Sequence, residues 1–156
     1  MKLKTIAFAC SLVALAACGD ASQNPEKLKG ANFVTTSGDT QITLAFAPED
    51  MRINGRVVNL YNASYTANGD NIKFGDMLST MMMGPMDAMN AEQEYFQFMA
   101  TVEKYDLSNG KLILRDANGR EMVFTQVDTL PDPNAADNSE TVTESETVVE
   151  TETVSE

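Results

Sequence analysis

The sequence predicts an α+β domain dominated by β-structure: a mostly antiparallel sheet with one helix packed on it. Three observations carry this. Several short runs alternate apolar and polar residues, most cleanly Ile42-Thr43-Leu44-Ala45-Phe46, which sets Ile42, Leu44 and Phe46 on one face. Asn-Gly pairs stand at Asn54-Gly55, Asn68-Gly69, Asn109-Gly110 and Asn118-Gly119, and both residue types tolerate the positive φ that tight hairpin turns demand. One segment, residues 90–102, instead spaces its apolar residues Ala91, Tyr95, Phe98, Met99 and Val102 with helical period.

The elements follow in order. Residues 32–36 form a first short strand and residues 42–46 a second. Ala47-Pro48-Glu49-Asp50 is a turn, since proline pre-sets φ and the acids solvate it. Residues 51–53 begin a return strand, and residues 57–61 carry further β-formers. Asn68-Gly69 joins Ser64-Tyr65-Thr66 to Ile72-Lys73-Phe74. The helix is expected at about residues 90–103, with Asn90 as cap, Gln93 reaching back, and Glu92 and Glu94 as solvated acids favouring its amino end. Residues 104–107, 111–115 and 120–124 then read as a three-stranded meander.

Both ends differ from this body. Lys2 and Lys4 precede an apolar stretch, residues 6–14, shorter than the ~20 residues a spanning helix needs. The run Leu15-Ala16-Ala17-Cys18 follows, and it resembles the lipobox of a bacterial lipoprotein signal. The expected organisation is a signal peptide at 1–17, a polar tether at 18–30, the domain at 31–128 and an acidic disordered tail at 129–156. Cys18 would carry lipid, and two or more acyl chains anchor durably where one does not. Gly19 follows it, with no aspartate to retain the protein at the inner membrane. The expected place is therefore the outer membrane, facing the periplasm.

Charge and composition exclude several functions. The formal net charge is −12. Residues 129–156 contain Asp132, Asp137, Glu140, Glu144, Glu146, Glu150, Glu152 and Glu156 but no Lys or Arg. Such a surface repels nucleic acid and anionic lipid heads, so lipid on Cys18 is the expected membrane contact. The chain has no histidine, which removes Ser-His-Asp and Cys-His catalysis and histidine zinc sites. Cys10 leaves with the signal and Cys18 is taken by lipid, so no disulfide remains to the mature chain. A monomer is expected.

Residues 27–127 resemble the META domain, as found in the heat-shock protein HslJ. The resemblance runs through residues 42–46, Ile53-Asn54-Gly55, Val58-Asn59-Leu60-Tyr61-Asn62-Ala63-Ser64-Tyr65, Ser79-Thr80-Met81-Met82-Met83-Gly84-Pro85 and Glu94-Tyr95-Phe96. It ends in residues 105–124. Asn59, Tyr65, Thr80 and Met82 keep the family pattern. Val58 and Gly84 stand where the family commonly has cysteines that often lie near each other. The resemblance implies an antiparallel sheet curled into a pseudo-barrel, partly covered by the helix. It implies no general activity, with hints of a role in envelope stress or drug tolerance.

Met77, Met81, Met82, Met83, Met86 and Met89 crowd one stretch. The expected role is packing where strand meets helix, because methionine fills irregular space. Two functional readings stand beside it: a soft Cu(I) site and an adaptable surface for a protein partner. Carboxylate chemistry is a weaker option, since Glu92 and Glu94 point to different sides of a helix. Asn59 and Thr80 suit buried hydrogen bonds as well as ligand contacts. The expectation is a non-enzymatic binding or support protein with no cofactor and an unidentified protein partner. A copper-binding envelope protein is the alternative.

Overall fold

The structure, a computed structural model, describes residues 23–132. The strands are β1 (Asn32–Ser37), β2 (Thr40–Phe46), β3 (Arg52–Arg56), β4 (Leu60–Asn68), β5 (Asn71–Phe74), β6 (Leu78–Ser79), β7 (Val102–Ser108), β8 (Lys111–Asp116) and β9 (Glu121–Val127). One helix, α1 (Met86–Met99), lies between β6 and β7. Every pairing among the described residues is antiparallel. Strands run β3-β2-β1-β9-β8-β7-β5-β4, and a β3–β4 pairing returns to the start. The sheet therefore closes into an eight-stranded barrel, with β6 added beside β4.

Alternation decides which side chains fill the barrel. Ile42, Leu44 and Phe46 point inward as the sequence predicts, joined by Phe33, Ile53, Tyr61, Tyr65, Ile72, Tyr105, Leu112, Leu114 and Phe124. Helix α1 closes the interior with Tyr95, Phe98 and Met99. Aromatic edges lock this core: Phe46 meets Tyr65 at 5.0 Å between ring centroids and Tyr61 meets Tyr95 at 5.5 Å. Each fully buried side chain of this size contributes about 1.5–3 kcal/mol.

The meander is as expected. Asn109 (φ 51°) and Gly110 (φ 71°) make the β7–β8 turn, both left-handed as a tight hairpin requires. Gly69 (φ 59°) and Asp70 join β4 to β5, closed by the Asn68–Asn71 pair. Asn54-Gly55 is different, because it lies inside β3 and makes no turn. A Cβ on Gly55 would stand 2.0 Å from the Thr43 carbonyl oxygen and 2.5 Å from the Tyr61 hydroxyl. Glycine is there so that Tyr61 can cross the strand and donate to Thr43 O at 2.7 Å.

The helix starts and stops about four residues before the expected bounds. Pro85 holds its N-cap in extended geometry (φ −53°, ψ 144°), and its carbonyl accepts from the Met89 amide. Asn90 is therefore interior to α1 and caps nothing. At the other end the Thr101 hydroxyl donates to Phe98 O, and Val102 pairs with Asp116 in the sheet. Val102 is apolar because it faces the barrel core, which mimics the helical period by coincidence.

Candidate functional site

The segment from β3 to α1 concentrates what is unusual in this domain. Its centre is Glu92, which is 6% exposed. The residue was expected as a solvated acid at the start of a helix. It instead lies in the second turn of α1 and faces the loop between β3 and β4. Its Oε2 accepts from the Val58 amide (3.0 Å) and the Asn59 amide (2.7 Å), and Oε1 accepts from Asn59 Nδ2 (2.8 Å). The buried carboxylate is held by donors on both oxygens, the condition under which burial is tolerated. Glu94 is exposed, so the two acids do not converge.

Asn59 carries the network onward. Its Oδ1 accepts from the Thr80 hydroxyl (2.9 Å) and the Met82 amide (2.6 Å), and Thr80 Oγ1 accepts from the Leu60 amide. Glu92, Asn59 and Thr80 thus tie the helix to two loops. Asn59 acts as a buried hydrogen-bond partner within the chain, while Thr80 bonds to it from an exposed position. Sequence spacing gave no sign of Glu92's part in this, since its donors lie 33 and 34 residues away.

This knot holds a loop whose side chains point outward. Met81 is 99% and Met83 95% exposed, and Met82 and Met86 are exposed too. The packing expected of the methionine run therefore fails for most of it. Only Met77 packs against the core, and Met89 is half-buried. The reason is local: the Asn59 bond fixes the Met82 backbone, and Pro85 starts the helix before the run can turn inward. Leu60 and Leu78 are also exposed, on neighbouring strands. Among the described residues, no group of three or more His, Cys, Asp or Glu is placed to hold a metal.

Val58 and Gly84 do lie side by side. A Cβ built on Gly84 would be 3.7 Å from Val58 Cβ and 2.7 Å from its Cγ1. Valine fills the space that the missing side chain leaves.

Beside the loop, the outer face of β2, β3, β4 and β6 carries a groove of about 810 Å³. Thr43, Asn54, Arg56, Leu60, Asn62 and Leu78 line it, with Leu130 and Pro131. No carboxylate belongs to its described lining. A smaller hollow of about 650 Å³ lies along α1 between Met86, Met89 and Phe96, with Glu92 as its one acid. Tyr61 and Tyr95 share a 2.6 Å hydrogen bond beneath the knot, and burial pushes both phenols well above their ordinary range. Cys18 and most of the acidic tail lie outside the described residues. No described helix is long and apolar enough to cross a membrane.

A small antiparallel barrel closed by one helix, with a hydrogen-bonded Asn-Thr-Glu knot under an exposed loop, is the class of protein these observations define. The chain belongs to the META domain family, whose model matches residues 19–129. An NMR structure of a protein from Burkholderia xenovorans is similar to it, with a TM-score of 0.56 at 18% identity over 65% of this chain and 85% of that one. A second NMR structure aligns with a TM-score of 0.54 at 18% identity, covering 66% and 94%. At such identity the likeness concerns the fold alone. No curated protein matches the sequence.

Proposed function

We propose that this chain is a lipid-anchored envelope protein whose META domain acts non-enzymatically, by binding a partner protein or supporting the envelope. The observation that carries the reading is Leu15-Ala16-Ala17-Cys18, placed directly before the family match and behind a basic, apolar start. Lipid on Cys18 would hold the barrel at the outer membrane facing the periplasm. The exposed thioethers of Met81, Met83 and Met86 suit an adaptable contact with a protein partner. The test is metabolic labelling with a clickable palmitate analogue in a Gram-negative host, followed by membrane fractionation. Label on the wild-type chain and none on Cys18→Ser supports the anchor. An unlabelled wild-type chain recovered in the soluble fraction refutes it.

A second reading is favoured by the same exposure. Soft thioether sulfurs at Met81, Met83 and Met86 are open to a Cu(I) ion. Titration with Cu(I) under reducing conditions tests this, and binding no tighter than about micromolar, some 8 kcal/mol, rules it out.

A further inference from the structure

The groove on the outer barrel face has one arginine, Arg56, in its lining, and residues 130–131, which follow β9, complete its wall. Register places Thr43, Arg56 and Leu60 in one cross-strand row, and Asn54, Asn62 and Leu78 in the next. Both rows lie on the face opposite Ile42, Leu44 and Phe46. Arg56 has no ion-pair partner among the described residues, and Arg52, at the other end of β3, donates only to the Asn62 amide oxygen (2.7 Å). Leu60 and Leu78 are open apolar surface in the same groove. Leu130 and Pro131 line it as well, just before the described chain ends at Asp132.

The segment that begins there, residues 133–156, has the complementary chemistry. It carries Asp137, Glu140, Glu144, Glu146, Glu150, Glu152 and Glu156, valines and threonines, and no Lys or Arg. Reach is no obstacle. Crossing four strands spaced about 4.8 Å apart takes roughly five extended residues at about 3.3 Å each. Asp137 and Glu140 are the first carboxylates to arrive. We propose that residues 133–156 fold back into this groove, with the first carboxylates on Arg56 and the valines over Leu60 and Leu78. A lone exposed ion pair is weak, so tethering decides the outcome. A short link gives an effective concentration of about millimolar, enough to half-fill a site of millimolar affinity. The tail is then a built-in competitor: an external acidic peptide must displace it to enter the groove. The proposal is independent of lipid on Cys18.

The experiment compares two ¹⁵N-labelled chains with the same amino terminus, one complete and one ending at Asp132, by NMR at low and high salt. The Arg56 Nε–Hε signal and the amides of residues 54–62 are expected to shift with the tail and to return at high salt, while β8 stays fixed. A peptide of residues 133–156 added to the shorter chain should reproduce the shift only at about millimolar concentration. Arg56→Ala in the complete chain should abolish it, with β8 signals showing that the fold is kept. Superimposable groove signals with and without the tail at low salt overturn the proposal. So do tail-dependent shifts that grow with protein concentration, which would mark a second copy as the occupant.

Discussion

Restoring the two cysteines that this chain lacks should cross-link its most constrained loop. The perturbation is Val58→Cys with Gly84→Cys, in a chain beginning at residue 19 so that Cys10 and Cys18 are absent. The Cβ atoms would stand about 3.7 Å apart, inside the 3.5–4.5 Å range of unstrained disulfides. Gly84 is not at positive φ, so a side chain there meets no backbone penalty. The bridge closes a loop of roughly 26 residues. Chain-entropy loss in the unfolded state then gives about 12 cal/mol/K, or about 3.5 kcal/mol at 25 °C. For a domain of this size that corresponds to a rise in Tm of roughly 15–25 °C. Gly84→Cys alone should do the opposite. Its Cβ would sit 2.7 Å from Val58 Cγ1, and overpacking of that kind costs about 1–3 kcal/mol. The assay is thermal unfolding by circular dichroism with and without reductant, paired with a thiol count in denaturant. Free thiols persisting under oxidising conditions, or an oxidised Tm no higher than the reduced one, would refute the reasoning.

Two further outcomes are expected. All four tyrosines have phenols raised by burial: Tyr105 to about 12, and Tyr61, Tyr65 and Tyr95 upward from 10. The unfolded chain therefore loses these protons first. The stabilisation is complete below pH 10 and falls as pH climbs towards 12, by about 1.4 kcal/mol per pH unit for each phenol kept protonated in the fold. Absorbance at about 295 nm and far-UV dichroism should change together above pH 10; phenolate absorbance rising while the dichroism is unchanged contradicts it. Glu92→Gln can keep an oxygen on the Val58 and Asn59 amides only by setting its NH₂ against the Asn59 Nδ2 donor, and should cost about 1–3 kcal/mol. A denaturant midpoint equal to wild type would show that the knot contributes nothing.

Local signals carried most of the sheet into view and little of the site. The meander and the β4–β5 hairpin were legible because the glycine of an Asn-Gly pair sits at positive φ in each turn, a preference that needs no tertiary help. The same dipeptide misled at Asn54-Gly55, where glycine answers to the Tyr61 ring across the strand. Periodicity placed the helix but not its start. Pro85 was the stronger boundary signal, because a residue without an N–H loses nothing at a helix entrance. Glu92 was illegible for a deeper reason. Whether an acid can be buried depends on donors that the fold brings to it, and Val58 and Asn59 do so from another loop. The exposure of Met81 and Met83 was hidden likewise, since composition alone favours the core for a thioether.

Ring closure also bears on how the chain folds. The first and last strands are neighbours: Asn32 pairs with Val127 and Val34 with Thr125. Every other strand pair in the ring is nearer in sequence and can form as the chain emerges. The β1–β9 ladder must wait until almost the whole domain has been synthesised. Until then β1 presents an unpaired edge, open to other chains. Folding speed should therefore depend most on this longest-range pairing. A ribosome stalled before residue 121 would hold a sheet that cannot yet become a barrel.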